Sequence, residues 1–177
     1  TESNDPAIYY TTDGTAPTYN SYRYEEPFYL TEGGIIKAIS LMASDHRQSE
    51  VVTAEYDIAK SGWEVISPQI KNAAYLIDDN PNMGGWVDIN KPVIIYFGRQ
   101  LLMKGFSYLP NPDKTDANIS RYEIEISSDG KNWNKVISNG LFQNIRNNPI
   151  YQQILFDKTV NAGYIKLIIK ELTDQGN

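Results

Sequence analysis

Arg121-Tyr122-Glu123-Ile124-Glu125-Ile126-Ser127-Ser128-Asp129-Gly130-Lys131-Asn132-Trp133-Asn134-Lys135-Val136 is the stretch on which the reading of this chain turns. Successive side chains of a strand point to opposite faces. Tyr122, Ile124 and Ile126 therefore read as inward, and Arg121, Glu123, Glu125 and Ser127 as outward. Asp129-Gly130 turns the chain, and Trp133 and Val136 return on a partner strand. An antiparallel hairpin with one apolar face needs more sheet around it, and its neighbours in the sequence supply it.

In residues 164–170, Ile165, Leu167 and Ile169 alternate with Lys166, Ile168 and Lys170. Residues 93–97 are apolar throughout, as in a strand covered on both sides. Residues 101–109 form another strand, closed by Pro110 and Pro112, and residues 113–118 a solvated loop. Residues 143–149 are a polar loop, and residues 151–156 a further strand. Residues 69–79 hold the one place for a turn or two of helix, around Ala73 to Ile77. The Gly-rich loop of residues 80–85 delivers Trp86. Short strands separated by frequent turns read as an all-β sandwich.

Upstream, Ala59-Lys60-Ser61-Gly62 reads as a linker, which divides the chain into residues 1–59 and 60–177. In the smaller unit, Ile8-Tyr9-Tyr10-Thr11-Thr12 runs into Asp13-Gly14, a hairpin signal. Phe28-Tyr29-Leu30 is a short apolar run before Gly33-Gly34, and residues 35–41 read as a strand. In residues 51–58, Val52, Ala54 and Tyr56 alternate with Thr53, Glu55 and Asp57, as in a strand with one wet face. A sheet this small is marginal by itself. The polar first residues read as the cut end of a longer chain.

Composition excludes several classes. The 177 residues carry a net charge of −6 and no cysteine. A polyanion wants a basic face, so nucleic acid is not an expected partner, nor is an anionic membrane surface. Disulfides, thiolate metal sites and cysteine nucleophiles are excluded, and no apolar run is long enough for membrane insertion. Tyrosine is abundant, 13 residues against 5 Phe and 3 Trp, which suits half-buried strand faces and wet contact surfaces. His46 is the one histidine, read as a solvated side chain in a polar turn.

Two resemblances follow from these residues. Ile8-Tyr9-Tyr10-Thr11-Thr12-Asp13-Gly14-Thr15-Ala16-Pro17-Thr18, with Gly34-Ile35-Ile36-Lys37-Ala38-Ile39, resembles the chitobiase/β-hexosaminidase C-terminal domain. That implies a small immunoglobulin-like sandwich without catalytic residues, usually with one more strand ahead of the first. The second unit resembles the coagulation factor 5/8 type C, or discoidin-like, domains, which include the family 32 carbohydrate-binding modules. Trp63, Ala73, Ile77-Asp78-Asp79-Asn80, Trp86, residues 105–110 and 119–124, Ser127 to Trp133 and Tyr164-Ile165-Lys166-Leu167 carry it. It implies an eight-stranded jelly-roll-like β-sandwich with a binding site on loops at one end. The tandem resembles the C-terminal part of an exported Bacteroidetes-type chitobiase, hexosaminidase or fucosidase, in the periplasm or at the cell surface, with the parent catalytic domain as partner.

No catalytic set emerges. Glu123 and Glu125 lie about 7 Å apart on one strand face, with nothing apolar near them to raise a carboxyl toward a general acid. Asp78-Asp79 read as turn residues. The discoidin-like resemblance implies a structural calcium near Asp78, but Asp79 stands where that family has Gly, Met83 where it has Thr, and the chain stops short of the strand that supplies a Glu. No other cofactor is expected. What remains is a glycan or monosaccharide surface, in which a ring stacks on the sugar and amides or a guanidinium bond its hydroxyls. Trp86, Asn82, Asn111, Asn118, Arg146 and Tyr151 are its candidate members, and Trp63 and Trp133 read as core. The family's Arg after Pro is here Asn111, and its His beside the Trp is absent. The expected role is a non-catalytic carbohydrate-binding accessory region. A spacer that braces the parent enzyme is the rival.

Overall fold

The computed structural model describes residues 6–30, 32–42, 47–80, 82–89, 91–113 and 117–173; His46 lies outside them. The chain divides into two compact units, Thr1–Ala59 and Lys60–Asn177. Both are antiparallel β-structures.

The first unit is a four-stranded sheet of β1 (Ala7–Thr11), β2 (Tyr22–Arg23), β3 (Gly34–Leu41) and β4 (Val52–Tyr56), ordered β2-β1-β3-β4. Asp13-Gly14 starts the connection from β1 to β2. Thr15 donates to Asp13 Oδ1 from its backbone N–H (3.0 Å) and its hydroxyl (2.6 Å), and Gly14 takes φ +79°. Tyr19 closes edge-on against Tyr9 at 5.6 Å, on the face that carries the buried Ile39. β4 is an edge strand, and its alternation does not produce one wet face. Val52 and Tyr56 are exposed along with Thr53 and Glu55.

In the second unit, β5 (Glu64–Val65), β6 (Val93–Tyr108), β7 (Ile119–Ser127), β8 (Asn134–Leu141) and β9 (Gln152–Leu172) form a sheet ordered β5-β6-β9-β7-β8. The expected helical turn is a 3₁₀ turn, Ala73–Leu76. The eight short strands become fewer, longer ones, since two pairs of expected strands run on as β6 and β9 through bulges. Tyr96 pairs with Tyr164 and Leu101 with Ala162, so residues 97–100 face Gly163 alone. Met103 pairs with Val160 and Gly105 with Leu155, so residues 156–159 face Lys104 alone. Bulges bend a strand and raise its twist, and here they fold the sheet over itself. Phe106 on the far half of β6 meets Tyr122 of β7 edge-on at 5.7 Å. Phe142 stacks on Tyr122 at 4.3 Å and on Tyr108 at 4.5 Å. The two layers of the sandwich are thus halves of one sheet.

Phe97, Leu101, Tyr122, Ile124, Phe142 and Ile169 fill the space between the layers, each worth about 1.5–3 kcal/mol of burial. The first bulge depends on Gly98, at φ +73°. A Cβ there would lie 2.7 Å from the Gly62 carbonyl oxygen. Tyr122, Ile124 and Ile126 are buried as the alternation requires, but Ser127 is not outward: it is 1% exposed. Its hydroxyl accepts from the Gly130 N–H at 2.9 Å and donates to Asp129 Oδ1 at 3.0 Å, so it closes the hairpin turn from inside.

Candidate functional site

Two connections meet at the end of the sandwich where β6 stops and β7 and β9 begin, described over residues 109–113 with 117–118 and over residues 142–151. Their junction is built on Tyr108 and Phe142. Tyr108 stacks on Phe142, and its hydroxyl oxygen accepts the Ile119 N–H at 3.1 Å. Burial pushes this phenol up to about 12, so it stays a neutral donor and acceptor at any physiological pH.

Asn118, one of the expected contact residues, is not presented to solvent. It is 3% exposed, and its amide is spent on the loop itself. Oδ1 accepts the Asn111 N–H at 2.8 Å, and Nδ2 donates to the Asn111 carbonyl at 2.9 Å. Its backbone exchanges bonds with Thr173, at 3.1 Å to Oγ1 and 2.8 Å from the Thr173 N–H. A buried amide satisfied on both ends fixes a loop. A polar residue in a loop carries no mark in the sequence that distinguishes this role from ligand contact. Asn111 is the clamped partner. Its side chain is exposed, with Oδ1 accepting the Asp113 N–H at 2.9 Å.

Tyr151 is 56% exposed. Its hydroxyl donates to Ser107 Oγ at 2.5 Å, which ties the end of the ring while the residue stays exposed. Ser107, one residue before the Tyr108 clamp, is thus the positioning group that strand periodicity did not single out. Arg146 is exposed on the same loop, beside the buried Ile145. Asn144 holds the left-handed conformation at φ +54° and accepts the Asn148 N–H at 2.9 Å through its carbonyl. The structure therefore gathers Asn111, Asn118 and Tyr151 around one framework, with Asn118 as its fastener.

Trp86 and Asn82 lie on a different loop, residues 77–92, which precedes β6 rather than following it. Trp86 is 60% exposed, so it does not pack as core. The loop is shaped by successive side-chain turns: Asp78 Oδ1 accepts the Asn80 N–H and Asn80 Oδ1 accepts the Asn82 N–H, both at 3.0 Å. Asp79, at φ +58°, pairs with Lys60, which also sits 5.7 Å above the Trp63 ring. Asp79 is already neutralised by a protein cation and Asp78 is spent on its turn. Among the described residues no three acidic or histidine side chains gather into a group that could hold a metal, so a calcium here would draw most of its oxygens from backbone carbonyls, amides and water.

The strand carboxylates are built into ion pairs. Glu123 meets Lys135 at 2.8 Å and Lys170 at 3.7 Å, and Glu125 meets Lys166 at 2.9 Å. The Lys135 hydrogen bond holds Glu123 below its ordinary value, the direction opposite to that of a glycosidase general acid. Lys166 Nζ also lies 3.7 Å over the Trp133 ring. Trp63 packs on Phe97 at 4.6 Å. Both indoles are half-buried.

The family model described as F5/8 type C domain matches residues 51–177, and that described as Fn3 associated matches residues 1–56. Among solved structures, the module CpGH89CBM32-5 from Clostridium perfringens, in complex with GalNAc-β-1,3-galactose, is 20% identical with a TM-score of 0.54, over 64% of this chain and 87% of that one. The family 32 module of Clostridium perfringens NanJ, in complex with galactose, is 17% identical with a TM-score of 0.54, over 64% and 85%. The C-terminal domain of a chitobiase from Bacteroides fragilis is 22% identical with a TM-score of 0.51, over 68% and 87%. At these identities the likeness is one of fold. No helix among the described residues is long and apolar enough to cross a membrane.

Proposed function

Since this chain belongs to the F5/8 type C domain family, whose model matches residues 51–177, we propose that it is a non-catalytic carbohydrate-binding region of an exported bacterial glycoside hydrolase. It would hold the enzyme near glycans by a weak second contact. The observation that carries this reading is Tyr151, an exposed residue with its hydroxyl tied to Ser107, on the strand end that leads into the loop of Asn111. A preorganised ring between loops that also carry an amide and a guanidinium has the chemistry of a sugar contact. Asn111, Arg146 and Tyr151 are its proposed members. Trp86 and Asn82 are proposed as a second contact on their own loop.

One observation favours the bracing reading. The clamp that spends Asn118 and the Asn111 backbone is a stabilising device, and it removes one amide from any sugar site. An NMR titration of the whole chain with galactose, N-acetylglucosamine, N-acetylgalactosamine and fucose separates the two. Saturable shifts at Asn111, Arg146 and Tyr151 that Tyr151→Ala abolishes support binding. No saturable shift anywhere at tens of millimolar, about the weak limit for a shallow site, supports bracing.

A further inference from the structure

The first unit carries a hollow of about 450 Å³ that the reading above does not use. Its floor is one face of the sheet. Tyr10 pairs across to Ala38, while Ile36 pairs with Ala54 and Gly34 with Tyr56, so Tyr10, Ile36, Ala38 and Tyr56 share that face. Its wall is the segment after β2. Phe28 stacks flat on Tyr10 at 4.8 Å, with 13° between the planes, and the Tyr24 N–H donates to the Ile8 carbonyl at 2.8 Å. Tyr24 and Tyr29 complete the rim. Tyr29 is 98% exposed, and Tyr24, Phe28 and Tyr56 are exposed too.

We propose that this hollow is a second carbohydrate site, taking a neutral pyranose. Three features select that ligand over a partner protein or a charged one. Five of the lining residues are aromatic, Tyr10, Tyr24, Phe28, Tyr29 and Tyr56, beside Ile8, Pro27, Leu30, Ile36 and Ala38, and a ring face is what the C–H side of a pyranose stacks on. The hydroxyls of Tyr10, Tyr24, Tyr29 and Tyr56 make no hydrogen bond to any described protein group, so they are unspent donors and acceptors at the edge of an apolar surface. No charged side chain lines the hollow, while Glu25 and Glu26 stand in the segment that forms its rim. A sialylated, sulfated or uronic sugar would meet carboxylates there with no cation lining the hollow to offset them. The volume lies within the range of small-molecule sites. Such a contact would make the chain bivalent for glycan, multiplying weak affinities through effective concentration.

The test uses the whole chain, with aromatic ring signals followed by NMR during titration with methyl β-galactoside, N-acetylglucosamine and sialyllactose. The expected result is saturable movement of Tyr24, Tyr29 and Tyr56 with a neutral sugar, at about millimolar Kd, and none below that range with sialyllactose. Tyr29→Ala, at a fully exposed position that folding does not need, is expected to weaken it about three- to tenfold. Movement at Tyr151 or Trp86 alone would overturn this proposal and leave the loop site standing. Movement at Tyr24 and Tyr29 alone would do the reverse. Ring signals that change with protein concentration and not with sugar would assign the hollow to a second copy of the chain, and would also overturn it.

Discussion

The two units use their aromatic residues in opposite ways. In the second, Phe97, Tyr122 and Phe142 are buried between layers of a folded sheet. In the first, Ile39 and Leu41 are the buried large hydrophobics among the described residues, while Tyr22, Tyr24, Phe28, Tyr29 and Tyr56 face solvent. Aromatic content is therefore not a measure of core. A single sheet of four short strands has one layer too few to enclose large rings, and tyrosine tolerates the exposure because its hydroxyl is content in water. All three tryptophans lie in the second unit, so indole fluorescence follows that unit alone.

Phe142 gives the sharpest way to break the contrast. Its ring touches Tyr108, Tyr122 and Phe106, and Phe142→Ala is expected to cost about 3–5 kcal/mol. Urea unfolding followed by indole fluorescence measures it. The matching change in the first unit, Tyr29→Ala, is expected to stay within about 0.5 kcal/mol, followed in urea by the NMR signals of that unit, which holds no tryptophan. Comparable losses from both would mean that the exposed ring is structural and the contrast is false. Asn118→Ala comes next, at about 1–3 kcal/mol, because it leaves both the Asn111 N–H and carbonyl without their part-buried partner. A loss of sugar affinity with unchanged stability would instead return Asn118 to the binding surface.

How far the sequence carried the fold follows from the same physics. Period-two alternation at Tyr122, Ile124 and Ile126 reports burial directly, and the structure places all three inside. Alternation cannot report whether a strand continues past a bulge. The gaps at residues 98–100 and 157–163 therefore read as breaks where β6 and β9 in fact bend and run on. Nor does it register a polar residue turned inward: Ser127 follows the outward parity yet closes the turn from beneath. Trp86 and Tyr151 were legible as exposed rings, whereas the separation of their loops along β6 and the Ser107 tie to Tyr151 depend on three-dimensional register.

The hairpin turn yields a smaller, pH-dependent effect. Asp129 accepts the Asn132 and Lys131 N–H groups, both at 2.8 Å, and these bonds hold its carboxyl well below the usual range. A carboxylate depressed in the folded state stabilises it above the unfolded value of 3.8. That contribution fades as pH falls through the lower folded value. The urea midpoint of the native chain should therefore exceed that of Asp129→Asn by a constant margin near neutrality. The margin should narrow below about pH 4. A margin that widened toward acid would contradict the assigned bonds.

Calcium supplies the smallest expected effect. The loop of residues 77–92 already satisfies its acids internally: Lys60 takes Asp79, and Asp78 is spent on the Asn80 N–H. A cation drawing on both carboxylates must displace an ammonium and compete with a turn, and the loop's remaining acid, Asp88, is itself paired with Lys91 at 3.6 Å. A ligand of the folded state stabilises by RT ln(1 + [L]/Kd), about 0.4 kcal/mol at its Kd and about 2.7 kcal/mol at a hundredfold excess. Millimolar calcium is accordingly expected to leave the indole-monitored midpoint where a chelator leaves it. A rise of about 2 kcal/mol would show that the loop opens its acids to the ion, and Lys60→Ala should then enlarge the gain. If the midpoint does not move, the Lys60–Asp79 pair fills locally the role that a bound cation would otherwise have in ordering this loop.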